Sequence, residues 1–155
     1  MRLNHDYVRD ILLFIEKEFD YEDSESKTPY KHKELTDGQL VCDSHFNTYN
    51  KQELSYALEL LIKEGYVDLA GNPNIHNGNI VIARIIGLTW QGHELLDNVR
   101  NDTVWNAVKQ KSMKFGKFSL TTLAVCAKDL TFKLMDNPNA IQDFLQGIDN
   151  IGKMF

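Results

Sequence analysis

Apolar residues return at helical spacing in the first stretch of the chain. Between Asn4 and Glu18 the positions Tyr7, Ile11, Phe14 and Ile15 share one face, with Val8 and Leu12 beside them, which predicts an amphipathic helix. A second stripe, Leu54, Ala57, Leu58, Leu61 and Ile62, predicts a helix over Lys51 to Glu64. Asn50, three residues ahead of Glu53, suits its N-cap with a reciprocal acidic partner, and Gly65 suits its left-handed C-terminal residue. Beyond Gly65 the period changes. Tyr66 to Leu69 reads as a short strand, and Ala70 to Gly78 is rich in turn formers and reads as a wing loop. Asn79 to Leu88 reads as the return strand, whose near-continuous apolar run predicts cover on much of both faces.

Thr89 is placed to cap a helix that starts at Trp90, and Asn101-Asp-Thr103 permits a kink or a fresh cap before the helix resumes through Trp105 towards Lys114. Gly116 ends it. Ser119 suits the N-cap of a helix over Leu120 to Met135, with Leu120, Leu123, Ala124, Ala127, Leu130 and Leu134 in one stripe. Asn137-Pro138 suits the start of a last helix with Ile141, Leu145, Ile148, Ile151 and Phe155 on one side. Nearer the N-terminus, Asp20 to Pro29 is polar and acidic and reads as an exposed loop, and Asn47 to Asn50 reads as a turn. Asp37-Gly38 is a hairpin-turn signal, which predicts short strands near Lys33–Leu35 and Gln39–Cys42. From Asn50 on, helix, turn, hairpin, helix is the order of an α+β winged helix, a helix-turn-helix with a β-hairpin wing. Here it would span residues 1–115, with additional C-terminal helices over 116–155 that pack on the domain or on a dimer partner.

Composition narrows this little. The 155 residues are enough to bury roughly 70% of the unfolded surface without a disulfide or metal staple. Apolar content of 43% and charged content of 25% are ordinary for a soluble protein. Cys42 and Cys126 lie far apart and read as free thiols of a reducing compartment. The charged N-terminus lacks a secretory core and no apolar run reaches the ~18 residues of a membrane span, so a cytoplasmic protein is expected. Charge changes the picture more. The net value is −5, but residues 1–49 carry six basic and eleven acidic side chains, 50–105 four and seven, and 106–155 seven and four. A duplex reader normally shows a basic footprint, and the expected winged-helix part is acidic.

The helix Lys51–Glu64 stands where a winged-helix protein puts its recognition helix, with Lys51, Gln52, Ser55, Glu59 and Lys63 outward and Tyr56 near the edge. Lys51, Gln52, Ser55 and Tyr56 are therefore candidate DNA contacts, joined by Asn74, His76 and Asn77 of the wing, where Asn72 and Asn79 add further amides. Glu59 would repel phosphate unless it accepted a cytosine amine. The run Lys109 to Lys117 adds Lys109, Lys111 and Lys114, although lysines also suit the C-terminal end of a helix without any ligand. Trp90 and Trp105 read as core or interface anchors, and His93 as a packed histidine bonded to backbone. Cys42-Asp-Ser-His45, with His32 upstream, is the one cluster resembling site chemistry. It lacks the four tightly paired ligands of a zinc site, and a Cys–His nucleophile pair is the remote enzymatic alternative. No phosphate loop, His-Glu-x-x-His or Gly-x-Ser-x-Gly is present, so neither catalytic residue, metal nor cofactor is expected.

Leu88-Thr-Trp-Gln-Gly-His-Glu-Leu-Leu-Asp97 and Arg100 to Lys109 closely resemble an uncharacterised bacterial and prophage family of unknown function. The resemblance extends to Tyr56–Val67, to the N-terminal helix and to a helix beginning near Ser119, about residues 4–135 in all. It implies a winged-helix-like fold and a phage or mobile-element setting, and it supplies no activity. The last helix, after Pro138, runs beyond that pattern. The expectation is a non-enzymatic, cytoplasmic, prophage-type regulator that binds double-stranded DNA as a homodimer. The alternative is an interaction module of the same fold that binds a host or phage protein.

Overall fold

The computed structural model describes residues 2–19, 33–114 and 119–153, with the backbone alone for 147–153. Among these residues there are seven α-helices and five short strands. The chain divides into two compact units, Met1–His93 and Glu94–Phe155. The acidic segment Asp20 to Pro29, His32, Gly116, Lys117 and Phe155 lie outside the described residues, as do the side chains of Ile148 and Ile151.

In the first unit, α1 spans His5–Glu18 and α3 spans Lys51–Lys63, and the two pack on each other. Both are capped by asparagine. The Asn4 side chain accepts from the amides of Asp6 and Tyr7, and Asn50 from those of Gln52 and Glu53. All five stripe residues of α3 are buried, as are Val8, Ile11, Leu12, Phe14 and Ile15 of α1. The reciprocal arm expected at Asn50 is different. Its amide donates to the Tyr7 hydroxyl at 3.0 Å, and the Glu53 carboxylate accepts from the Asn4 side chain at 3.4 Å. The two caps thus tie α1 to α3. Tyr49 adds to this, stacked against Tyr7 and donating to Asp10, and burial together with that carboxylate pushes its phenol up to about 12.

The hairpin expected at Asp37-Gly38 does not form. Leu35–Thr36 is a two-residue strand, β1, and Asp37–Val41 is a short helix, α2. Thr36 and Gln39 make a capping box across its start, and Leu40 is buried. A threonine three residues ahead of a glutamine outweighs the aspartate–glycine pair, because Leu40 can then reach the core from a helix. A single 3-10 turn, Ser44–Phe46, follows, with Phe46 buried among Phe14, His45 and Tyr49.

Residues 66–88 form an antiparallel ribbon in two segments. At its base β2 (Val67–Leu69) pairs with β5 (Arg84–Leu88), and β1 joins on the other side of β5, giving the order β1-β5-β2. At its tip β3 (Asn74–His76) pairs with β4 (Asn79–Ile82). The segment expected as loop therefore contains a strand. Its turn is Asn77-Gly78, where both residues have positive φ (51° and 78°) and His76 pairs with Asn79, the arrangement of a type I′ hairpin. The predicted cover of both faces holds only at the base. Ala83, Ile85 and Leu88 are buried, whereas Val81 and Ile82 are exposed because the tip extends past the helices' apolar face.

In the second unit, α5 (Asp102–Lys114), α6 (Leu120–Asp136) and α7 (Ala140–Lys153) pack pairwise. Asn101 provides the fresh cap of α5 through Thr103 and Val104, and Ser119 caps α6 through Thr122. Asn137-Pro138 lies in the turn ahead of α7, with Asn137 accepting from Asn139. Leu120, Leu123, Ala127 and Leu130 of α6 are buried, as is Trp105 of α5. The stripe that could have paired across a two-fold axis is thus buried within the chain. Among the described residues no helix is long and apolar enough to cross a membrane.

Helix α4 (Trp90–Val99) begins at the junction that closes the first unit. Helix α3 ends in a Schellman motif: Gly65 has φ +81°, Tyr66 donates to the Leu61 carbonyl at 2.9 Å and Gly65 to that of Ile62 at 3.1 Å. The freed Gly65 carbonyl accepts from the Thr89 hydroxyl at 2.6 Å, and that hydroxyl accepts from the Gly92 amide at 3.1 Å. The Thr89 amide bonds the Tyr66 carbonyl. This brings α4 so close that a Cβ on Gly92 would lie 2.0 Å from the Tyr66 oxygen. With Gly92, Leu95, Leu96 and Val99 inward, Trp90 and His93 face away. Trp90 is 82% exposed, which rules out the core position but not the interface one, and His93 is exposed, contrary to the packed position expected for it.

Gly92→Ala distinguishes close approach from helix propensity. Alanine ordinarily stabilises a helix by about 1 kcal/mol over glycine. Here the substitution is expected to destabilise by about 2 kcal/mol, lowering the midpoint by about 4–8 °C in thermal denaturation. An unchanged or raised midpoint would show that the contact is not tight.

Candidate functional site

The tip of the ribbon is strapped to α2 and α3 by side chains that bond its backbone. Asp37 and Ala83 exchange two hydrogen bonds of 3.0 Å each. The Asp37 amide donates to the Ala83 carbonyl, and the Ala83 amide donates to the Asp37 carboxylate. One turn from the end of α3, the Glu59 carboxylate accepts from the Ile80 amide at 3.1 Å and pairs with Lys63 at 2.8 Å. Lys63 in turn donates to the Gly78 carbonyl at 2.8 Å. The Lys63 ammonium and the Ile80 amide hold the Glu59 carboxyl below the usual carboxylate range, against a desolvation that works the other way. Between α2, α3 and β4 remains a cleft of about 210 Å³, floored by Val41, Leu58, Ile62 and Ile80 and rimmed by Asp37, Ser55 and Glu59.

The strap governs what α3 can present. Glu59 and Lys63 point outward as expected, but both are committed to the ribbon. Lys51 is committed as well, since its ammonium donates at 2.8 Å to the carbonyls of Val41 and Phe46, the C-terminal ends of α2 and of the 3-10 turn. Its side chain is therefore held back against the chain, although the residue is exposed. Gln52 and Ser55 are exposed and Tyr56 is half-buried. On the ribbon, Asn74, His76 and Asn77 are exposed. Beside them stand three apolar side chains not singled out in advance: Ile75 is 57% exposed, Val81 55% and Ile82 49%. Ile75 pairs with Ile80 across the hairpin and Ile82 with Asn74, and the register shifts between these pairs, with Val81 the extra residue of β4.

The chain matches the family described as "Hypothetical protein (DUF2513)" over residues 2–118. It belongs to that family. A relative from Haemophilus influenzae, named "Uncharacterized protein", is 37% identical over 109 residues, which are 70% of this chain and 76% of that protein. No solved structure matches the chain. The matched range covers the whole first unit with α4 and α5, and it stops before α6, short of the expected limit near residue 135.

In this DUF2513 chain the lysines of the second unit are partly engaged too. The Lys109 ammonium lies 5.8 Å from the Trp105 ring centroid, and that of Lys111 lies 4.2 Å from the Phe144 ring centroid. Lys114 is exposed at the end of α5. Lys109 and Lys111 thus serve α5 and its contact with α7. Cys42 is an exposed free thiol, and the His45 ring is packed at 5.4 Å from Phe14 and 4.8 Å from Phe46. Among the described residues no group of three His, Cys, Asp or Glu side chains is placed to hold a metal.

Asp37, Ile75, Val81 and Ile82 were missed by reading the residues. The signal for the apolar trio was present. Asn77-Gly78 flanked by Ile75 and Ile80 is a stronger hairpin mark than Asp37-Gly38.

Glu59→Ala removes the strap's charged acceptor and is expected to cost about 1 kcal/mol in urea denaturation at neutral pH, a value that allows for solvent screening. Folding lowers the Glu59 pKa, so its contribution is complete above the ordinary glutamate range and is lost as pH falls through the lowered value. The difference between wild type and variant should therefore vanish on acidification. A difference independent of pH would assign the loss to packing.

Proposed function

We propose that the chain is a winged-helix-type domain that binds a partner protein through α3 and the ribbon, and that the segment it takes is apolar and basic. The element order helix, strand, helix, helix, ribbon, with β1 completing the sheet beside β5, supports the winged-helix reading. One observation carries the choice of partner. The ribbon exposes Ile75, Val81 and Ile82 and has no lysine or arginine anywhere from Glu64 to Ala83, while both lysines of α3 bond groups of this chain. Exposed apolar patches on a soluble domain mark contact sites. Residues 1–93 hold nine basic and fifteen acidic side chains, which favours a basic partner and repels phosphate. In this reading the chain has no catalytic residue and needs no cofactor. The family resemblance supports a mobile-element setting in a bacterial cytoplasm.

Duplex DNA binding is the second reading. It is favoured by the exposure of Gln52 and Ser55 on α3 and of Asn74, His76 and Asn77 on the ribbon.

Fluorescence anisotropy with a generic duplex at low salt separates the two. The proposal predicts no saturable binding up to several hundred micromolar protein, a span that exceeds the dissociation constants of ordinary non-specific duplex binding (about 10⁻⁴–10⁻⁶ M). Tight binding that collapses as salt rises would overturn it in favour of DNA. A photo-crosslinker at residue 81 gives the positive arm. It should capture a protein in cells, and Ile82→Asp should abolish that capture without changing the thermal midpoint.

A further inference from the structure

Helix α6 has two apolar faces. One, with Leu120, Leu123, Ala127 and Leu130, is buried against α5 and α7. The other carries Val125, Phe132 and Met135, each more than half exposed. Steps of seven and three residues set these side chains within one sector of the helix. Large apolar side chains aligned in this way are not needed to fold the unit, and a lone soluble domain seldom leaves them in water. None of them belongs to the surface formed by α3 and the ribbon.

The charges beside this face point to its occupant. Asp129 and Lys133 pair with each other at 2.9 Å within one helix, one turn apart, on the same flank of the stripe. Their midpoint is residue 131, next to Phe132. In an antiparallel helix pair related by a two-fold axis, the same flank of each helix faces its own copy. If the axis crosses at residue 131, Asp129 of each copy lies opposite Lys133 of the other, and the two Phe132 rings meet beside the axis. The face is thus self-complementary in charge and in apolar pattern.

We propose that α6 is a homodimer interface, paired antiparallel with α6 of a second copy through Val125, Phe132 and Met135, with Asp129 and Lys133 exchanging partners across the axis. This is a different face from the stripe that fills the unit's own core. A helix of 17 residues is about 25 Å long, so the strip it offers is at the small end of specific interfaces. Association in the micromolar range or weaker follows.

Sedimentation velocity of the full chain, from about 5 to several hundred micromolar, tests this, since that span brackets the expected dissociation constant. The weight-average mass should rise from the 17.9 kDa monomer towards twice that value. Phe132→Lys should hold the chain at monomer mass throughout, with an unchanged helical circular-dichroism signal. Asp129→Lys places like charges across the axis and should weaken association roughly two- to tenfold. An equimolar mixture of Asp129→Lys and Lys133→Asp chains restores complementarity across the axis while leaving the intrahelical pair broken in both, and should recover most of that loss, which a merely structural role for the pair would not. A monomer at every concentration would overturn the proposal. So would a dimer indifferent to Phe132→Lys, or a mixture that associates no better than the Asp129→Lys chain alone.

Discussion

The position of the ribbon depends on two carboxylates that bond backbone. Where β4 gives way to β5, the strand ladder changes partner and leaves main-chain groups unpaired at Ala83. Buried or half-buried main-chain groups must find partners. Asp37, at the start of α2, supplies both for Ala83, and Glu59 of α3 supplies one for Ile80. Lys63 then reaches from Glu59 to the Gly78 carbonyl. These bonds tether to two helices a hairpin that would otherwise project freely. At its other end the ribbon is held by Thr89 and Gly92 over Gly65 and Tyr66.

This arrangement decides what the surface can recognise. Charges that bond the chain's own carbonyls and amides are poorly placed to attract phosphate. Lys51, Glu59 and Lys63 are all in that state, and they are half or more of what α3 could have offered to a duplex. What stays open is amide, hydroxyl and aliphatic: Gln52, Ser55, Ile75, Val81 and Ile82. On the proposed reading, such a surface would gain affinity by excluding water from apolar contacts, with the acidic charge of the unit steering a basic partner.

Much of the architecture could be read from residues. The stripes of α1, α3 and α6, the caps at Asn50, Thr89, Asn101 and Ser119, and the C-terminal Gly65 depend on neighbours within a turn or two, and periodicity exposes such local rules. The antiparallel pairing of residues 66–88 was legible for the same reason. Misreadings arose where a distant contact chose between two local options. Asp37-Gly38 fits a hairpin or a first helical turn, and the Thr36–Gln39 box with burial of Leu40 decides for the helix. Trp90 looks like a core anchor until Gly92, fixed against Tyr66, sets which side of α4 faces inward. The candidate surface was legible in its outline on α3 and the wing, but not in its chemistry. Nothing in the order of residues reveals that Lys51 reaches back to Val41 and Phe46, or that the tip strands extend beyond cover.

Amide hydrogen exchange at Ile80 and Ala83 tests the strap most directly. Both amides donate to carboxylates of other elements, so both should exchange with protection comparable to the buried centre of α3, far slower than the neighbouring amides of the Asn77-Gly78 turn. Exchange at Ile80 and Ala83 as fast as at that turn would mean that the ribbon swings free of the helices, leaving Glu59 and Lys63 available to a ligand and removing the basis for the proposed protein contact.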